Sequence, residues 1–274
     1  MEKKKIKNTG TYFKLDKNGF IINPCSVNLI QKEFKEPLDM SVKHAVIHLG
    51  KNLHSIYLRG SVAKGNAVKD ISDIDLYILT EAGEKDTAWK ETSEKEICGI
   101  YSYVSGIEFH IETIENVLSR KSEQFLLQTQ SVRIFGKDLS FPQDSFKIGK
   151  ECYIHIFFIG KDIKDFYRYI SEEPDEEIPD ICSWIAKRIV RTGFEIVMKK
   201  ENLYTRDLYP CYKSFVKYYP EREKQMYDLL ELAVYPVNDK EVIIRTVKDI
   251  EQFIVTESSE TIAIEKLLNA GNKI

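Results

Sequence analysis

Residues 55–80 read SIYLRGSVAKGNAVKDISDIDLYILT and contain two apolar, strand-like runs, at 55–58 and 74–79. The first run leads into Gly60 and Ser61, and the second opens on an acidic pair. This order of strand, glycine turn and acidic strand is typical of an α/β domain that carries a functional site. Both the fold and the site are therefore predicted from this stretch outward.

The turn at Gly60 is suited to holding phosphate. Glycine lets the backbone turn sharply and approach a ligand closely. The turn would present Ser61 and neighbouring N–H groups to phosphate oxygens. Lys64 adds a positive charge if its side chain faces the same way, and the alternative is a lysine on the solvated surface.

Asp73 and Asp75 are separated by one residue at the start of the second strand. In an extended strand both side chains point to the same face, while Ile74 between them points to the core. Two convergent carboxylates repel each other unless a cation lies between them. Mg²⁺ prefers carboxylate and phosphate oxygens. The pair therefore predicts a site for one or two Mg²⁺ ions.

A third carboxylate is expected from a neighbouring strand. Residues 107–113, IEFHIET, alternate apolar and polar side chains with the period of a strand. We choose Glu108, which shares its face with His110 and Glu112, and Glu112 is the alternative if the register is shifted. Glu108 would either accept a proton from an attacking hydroxyl or join the metal site.

The whole chain divides into three predicted parts. Residues 1–38 form an N-terminal extension in which Asn18-Gly19 predicts a hairpin turn. Residues 39–148 form an α/β domain with a mixed sheet and helices, and residues 149–274 form an all-α domain. The predicted helices lie near 39–52, 84–97, 121–130, 151–170, 180–199, 207–218, 221–233, 239–256 and 257–269, and a further strand lies near 132–135.

The polymerase-β nucleotidyltransferase superfamily has a signature that this chain resembles at Gly60-Ser61, Asp73-Ile74-Asp75 and Glu108. The resemblance covers roughly residues 40–135 and makes 39–148 the nucleotidyltransferase domain. It implies that the two aspartates bind Mg²⁺ with a nucleoside triphosphate, and that Glu108 is a base or a third ligand. The nucleotide contacts that it implies in this domain are Gly60, Ser61, Lys64 and Ser72.

The helical part resembles the aminoglycoside nucleotidyltransferases of the streptomycin/spectinomycin type, which have a similar length and a C-terminal helical domain. The matching stretches are KRIVRTGFEI, YTRDLYPCYKSF and LLELAVYP. The resemblance implies that Arg191, Arg206 and Tyr235 contact the nucleotide. The alternative for the two arginines is pairing with nearby acidic residues at the surface.

Residues 171–180, SEEPDEEIPD, carry six carboxylates and no basic residue. Pro174 and Pro179 predict a non-helical loop between the domains. A field of one sign attracts a polycationic molecule. The resemblance implies that the acidic residues Asp180, Glu176 and Glu177 hold amino groups of an aminoglycoside, and the alternative is a solvated linker.

Composition excludes several classes of partner. The net charge of −3 does not favour nucleic acid, and no apolar run reaches the roughly 20 residues that span a bilayer. The basic start, MEKKKIKNTG, is not followed by the apolar segment of a secretory signal. The five cysteines are scattered, without a CxxC pair, which predicts free thiols in a reducing cytoplasm.

We therefore expect an enzyme that transfers a nucleoside monophosphate, AMP from ATP, to a hydroxyl of a small molecule and releases pyrophosphate. An aminoglycoside antibiotic is the candidate acceptor, and the enzyme is expected to be a monomer or homodimer with its cleft between the domains. Two alternatives stay open. One is a related enzyme acting on a protein hydroxyl, of the toxin-neutralising type, and the other is a catalytically silent nucleotide-binding module.

Overall fold

The computed structural model of the chain describes residues 6, 8–84, 86–141 and 145–271. The chain divides into two compact units. The sheet unit is Lys14–Lys147, and the helical unit combines Met1–Phe13 with Ile148–Ile274. The predicted extension, residues 1–38, is divided between the two units: residues 14–38 are in the sheet unit, and the described residues before 14 are grouped with the helical unit.

The sheet unit contains four strands in the order β3-β2-β1-β4. β1 pairs antiparallel with both β2 and β4, whereas β2 and β3 are parallel. The predicted mixed sheet with helices is thereby confirmed. The strands are β1 (Leu53–Arg59), β2 (Ile74–Thr80), β3 (Ile107–Thr113) and β4 (Ser131–Gly136). The helices are α1 (Lys32–Leu49), α2 (Gly60–Lys64), α3 (Ala88–Ile100), α4 (Ile114–Ser119) and α5 (Lys121–Gln130).

Alternating side chains of the strands pack into two separate clusters. One cluster contains Ile56 from β1 and Ile74 from β2, together with helix residues such as Trp89 of α3. The other contains Tyr77 of β2 with Val117 of α4. Because the side-chain period of a strand is two residues, both faces of β2 are covered and its register is firmly fixed.

Helix α1 begins at Lys32, seven residues before the predicted start. Pro37 lies inside it, in a position where proline is unfavourable because it removes a helical hydrogen bond. Phe34 and Leu38 are both buried and lie four residues apart, so one face of the helix packs into the core of the sheet unit. This packing outweighs the local preference against an interior proline.

A tight antiparallel turn lies near the start of the sheet unit, where Leu15 bridges Ile21. Gly19 has φ of +81° in this turn, a conformation that glycine adopts readily. The Asp16 carboxylate accepts the N–H groups of Asn18 and Phe20, each at 2.8 Å. Side-chain and backbone bonds together therefore define this turn.

The helical unit contains five long helices among its described residues, which confirms the all-α prediction. They are α6 (Ile159–Glu172), α7 (Ile178–Glu201), α8 (Leu208–Tyr218), α9 (Glu223–Val234) and α10 (Lys240–Gly271). The prediction of two helices at 239–256 and 257–269 was wrong. No proline or glycine interrupts residues 240–270, and buried Ile243, Val247 and Ile254 form a continuous face that a single helix extends.

The acidic segment 171–180 is not the loop that we predicted. A short 3-10 turn occupies Asp175–Glu177, and α7 begins at Ile178, with Pro179 and Asp180 in its first turn. Proline is tolerated there because the first N–H groups of a helix have no partner within the helix.

No helix among the described residues is long and apolar enough to cross a membrane. All five cysteines are free, as predicted. Cys152, Cys182 and Cys211 of the helical unit are buried, whereas Cys25 and Cys98 of the sheet unit are half-buried.

Candidate active site

Gly60 lies at the junction where β1 ends and the short helix α2 begins. Its φ is +70°, a conformation that side-chain-bearing residues rarely adopt. A Cβ atom at this position would overlap the Oδ2 atom of Asp75. The position therefore requires glycine, both for its backbone angle and because a carboxylate lies directly against it.

Asp75 on β2 and Glu108 on β3 are paired in the register of the two parallel strands. Their carboxyl groups form a hydrogen bond. The Glu108 side chain is exposed on one side, but loss of water around its carboxyl group, this bond and the charge of Asp75 raise its pKa from 4.5 to about 7. Glu108 therefore keeps its proton closer to neutral pH than a free glutamate does, which is the usual result when two acids are pressed together.

Of the other residues predicted for the site in the sheet unit, Asp73 acts on this pair, Ser61 and Lys64 lie in α2, and Ser72 lies in the loop that follows α2. Asp73 is exposed just before β2, and its charge also raises the pKa of Glu108. Ser61 is half-buried in α2. The Ser72 hydroxyl accepts the N–H of Val68 at 2.9 Å, a bond within its own loop. Lys64 closes α2 and acts electrostatically on the Cys25 thiol.

The acidic pair has the chemistry of a cation site. Among the described residues, no three His, Cys, Asp or Glu side chains are placed to hold a metal ion together. Asp75 and Glu108 nevertheless offer hard carboxylate oxygens of the kind that Mg²⁺ binds. The raised pKa of Glu108 shows that their negative charge is incompletely balanced. A divalent cation fits this donor pair because it can replace the proton held by Glu108.

Arg59 is a member of this site that the sequence reasoning missed. It is the last residue of β1, and its charge lowers the pKa of Glu108 against the four raising influences. Its guanidinium lies 5.9 Å from the centre of the Tyr77 ring. Arg59 thus balances part of the negative charge. A charged residue that closes an apolar strand beside Gly60 was the available signal.

In the helical unit, Arg191 and Arg206 are brought together. The Nε of Arg191 donates to the backbone oxygen of Arg206 at 3.2 Å. Burial and the neighbouring positive charge of Arg206 lower the pKa of Arg191 to about 10. Both line a small cavity of about 10 Å³ with His155 and Glu195. Tyr235, the third predicted contact, follows the end of α9 and does not line this cavity.

A polar network supports these arginines, and sequence reasoning missed it as well. Glu195 is only 4% exposed, and its carboxylate accepts the N–H groups of three consecutive residues, 154–156. Burial raises its pKa to about 7, although these bonds and Arg206 act in the opposite direction. His155 lies 2.7 Å from Arg188, measured between Nδ1 and Nη1. The spacing of Arg188, Arg191 and Glu195 along one helix face was the signal.

The acidic residues predicted to meet an acceptor all lie at the surface. Glu176 and Glu177 are in the short 3-10 turn before α7, and Asp180 is exposed in the first turn of α7. Asp175 of the same segment forms an ion pair of 3.3 Å with Lys240. Part of the segment's negative charge is therefore balanced within the helical unit.

Comparisons with known proteins bear on the family and on the fold. A family model described as nucleotidyltransferase domain matches residues 40–132. No curated protein matches the sequence. Among solved structures, spectinomycin adenyltransferase AAD(9) from Enterococcus faecialis, crystallised with ATP and spectinomycin, matches with 14% identity and a TM-score of 0.50. The match covers 82% of this chain and 98% of that chain, and at this identity it shows a shared fold. The chain thus resembles the polymerase-β-type nucleotidyltransferases over residues 40–132 and the aminoglycoside adenylyltransferases in its fold.

Proposed function

We propose that the protein is a Mg²⁺-dependent nucleotidyltransferase that transfers AMP from ATP to a hydroxyl group and releases pyrophosphate. The observation that carries this proposal is the hydrogen-bonded pair of Asp75 and Glu108 next to the glycine turn at Gly60. Paired acids beside a close backbone turn suit phosphoryl chemistry, in which catalysis consists of positioning and charge neutralisation.

Each residue has a separate role in this proposal. Asp73 and Asp75 would hold Mg²⁺, with Glu108 as a third ligand or as the base, and Gly60, Ser61, Lys64 and Ser72 would contact the triphosphate. Bound Mg²⁺ would neutralise charge on the phosphates. Glu108 would take the proton of the acceptor hydroxyl while the hydroxyl oxygen bonds to the α-phosphorus of ATP. The bond from the α-phosphorus to the bridging oxygen then breaks, and pyrophosphate leaves.

The helical unit would supply further contacts. We propose that Arg191, Arg206 and Tyr235 bind the nucleotide, because the two guanidinium groups repel each other and an anion would relieve that repulsion. Asp180, Glu176 and Glu177 would attract the acceptor. The first candidate acceptor is a small cationic molecule such as an aminoglycoside, since the similar solved protein was crystallised with spectinomycin.

A second candidate acceptor is a protein hydroxyl, which is favoured by the open edge of β3 beside Glu108. The free thiols support a cytoplasmic location. Monomeric and homodimeric forms are both compatible with the proposal.

Replacement of Glu108 by glutamine is expected to lower turnover roughly 10²- to 10⁴-fold, because a positioned general base contributes a factor of that size. ATP binding in the presence of Mg²⁺ should persist if Glu108 is mainly a base. The assay is pyrophosphate release with Mg²⁺, each of the four nucleoside triphosphates and a panel of hydroxylated antibiotics, with ATP binding measured separately. Loss of nucleotide binding in the variant would make Glu108 a metal ligand, and unchanged turnover would contradict both roles.

Stabilisation by Mg²⁺ is expected to grow with pH. The folded pKa of Glu108 is raised from 4.5 to about 7, so folding takes up a proton and metal-free stability falls as pH rises through this window. Glu195 acts in the same direction. Because Mg²⁺ competes with the proton on Glu108, it should raise the melting temperature more at about pH 8 than at about pH 6.

The control for this measurement is Glu108→Gln, which leaves Glu195 unchanged. This variant should lose most of the pH dependence of the Mg²⁺ effect, while the metal-free decline attributed to Glu195 remains. An equal rise in melting temperature at both pH values in the wild type would show that Mg²⁺ does not bind at the acidic pair.

A further inference from the structure

A groove of about 490 Å³ runs along β3 in the sheet unit. One wall is formed by Thr87, Lys90, Glu91 and Glu94 at and near the start of α3. The other wall is five consecutive strand residues, 107–111, and includes Glu108. The groove therefore places the proposed base beside a continuous length of strand backbone.

β3 is an edge strand, because among the described strands it pairs with β2 alone. The N–H of Ile74 donates to the oxygen of Gly106 at 3.0 Å, which turns the backbone groups of Gly106 and Glu108 towards β2. Since these directions alternate along a strand, the backbone groups of Ile107, Phe109 and Ile111 point outward.

Only one of these outward groups has a partner within the described part of the chain. The N–H of Ile107 is bound by the Glu94 carboxylate at 3.1 Å. No hydrogen bond occupies the outward groups of Phe109 and Ile111 among the described residues. The edge is thus closed at one end by a side chain and open along the groove, where another extended chain can pair.

We propose that this groove docks an extended, basic segment of a partner polypeptide, which pairs with the edge of β3 and presents a hydroxyl side chain to Glu108. Addition of a strand to an open edge is an established mode of peptide recognition, in which backbone bonds give affinity and side-chain pockets give specificity. Five lining residues correspond to an extended segment of about five residues at roughly 3.3 Å each.

The charge of the groove indicates which charge a partner segment should carry. Three carboxyl groups line it, from Glu91, Glu94 and Glu108, against the ammonium of Lys90, and the ion pair of Glu91 with Lys95 at 2.5 Å leaves a smaller negative excess. Lysine or arginine residues on the segment would complement this surface. A second copy of this chain is disfavoured as occupant, because edge pairing would bring the same carboxylates of both copies together.

Transfer of a nucleotide to the docked segment rests on the proposed nucleotidyltransferase function, whereas docking of the segment does not. The segment's serine, threonine or tyrosine oxygen would bond to the α-phosphorus of ATP. Its proton would pass to Glu108, and pyrophosphate would leave. Docking and transfer can therefore be measured separately on the same full-length protein.

The test uses a fluorescent peptide of about nine residues that alternates lysine and valine around a central serine. We expect it to bind without ATP at low salt, and we expect N-methylation of the backbone groups that face β3 to weaken binding at least about tenfold by removing strand pairing. Glu91→Lys should weaken binding roughly 5- to 10-fold, because it replaces attraction by repulsion. Glu91 is 74% exposed and lies outside the proposed catalytic residues.

Glu96→Lys is the matched control, since it makes the same change on the same helix at a 54% exposed side chain outside the groove. It should change binding less than about twofold. Equal binding of the N-methylated peptide would overturn the proposal, as would equal effects of the two variants. Displacement of the peptide by a polyamine at the same charge concentration would also overturn it, in favour of a small-cation site.

Transfer is then read as a nucleotide adduct on the serine by mass spectrometry. Docking without an adduct would support the groove and count against nucleotidyl transfer to this acceptor. Pyrophosphate release with small acceptors, but no peptide binding, would overturn the docking proposal and leave nucleotidyl transfer intact.

Discussion

Replacement of Asp75 by asparagine is expected to abolish nucleotidyl transfer and leave the sheet folded. The Asp75 side chain is hydrogen-bonded to Glu108 and lies against Gly60, at the centre of the candidate site. An amide keeps the shape of the side chain but removes the charge that Mg²⁺ would require. The expected loss in kcat/KM is at least about 10²- to 10³-fold, the effect of removing one preorganised group that stabilises a transition state. Asp73→Asn should act in the same direction.

Asp70→Asn is the matched control for this prediction. Asp70 precedes the same strand and has φ of +65°, a conformation that asparagine tolerates well. The charge change is identical, so a general electrostatic effect would appear in both variants. Kinetics by pyrophosphate release and thermal unfolding should show near-normal values for the control. Full turnover in both Asp73→Asn and Asp75→Asn would place the catalytic site elsewhere.

Replacement of Gly60 by alanine is expected to reduce transfer by at least about 10²-fold, because the new methyl group must displace Asp75 and misplaced catalytic groups have effects of this size. It also meets a positive φ, which costs about 1–2 kcal/mol for a residue with a Cβ. Mg²⁺ affinity should fall together with activity. The measurements are kcat/KM, Mg²⁺-dependent melting and the free energy of unfolding.

Gly19→Ala separates backbone strain from displacement of Asp75. Gly19 has φ of +81°, but nothing lies within 4 Å of a Cβ added there. This variant should lose a comparable amount of stability and keep its activity. If Gly60→Ala and Gly19→Ala had the same activity, the contact between Gly60 and Asp75 would have no catalytic importance.

Local patterns were sufficient to predict much of the sheet unit. β3 occupies the predicted residues 107–113 because strict alternation leaves only one strand register with apolar side chains in the core. The choice of Glu108 over Glu112 depended on that register, and the structure pairs Asp75 with Glu108. Strand period and short spacing are local properties, so sequence alone was enough to predict the strand that places these two residues side by side.

Properties that depend on distant contacts were not predicted. Arg59 became part of the site only when β1, β2 and β3 lay side by side. Glu195 lies in an apolar helix segment, and its three bonds reach residues about forty positions earlier. Helix α10 is likewise one continuous helix because a single face of it is buried, and local sequence does not report that burial. Long-range packing decides such features, and sequence periodicity reports it only indirectly.

The placement of the cysteines has a consequence for handling and labelling the protein. Burial raises the pKa of Cys152 and Cys211 to about 12, and it also raises that of Cys182. The thiolate is the form that reacts with alkylating and oxidising reagents. The helical unit thus carries three chemically quiet thiols, and Cys25 and Cys98 are the partly accessible positions. Burial also raises the pKa of Cys25, to about 11, and that of the less buried Cys98, so cysteine-directed dyes or spin labels will react slowly and chiefly at Cys98 of the sheet unit.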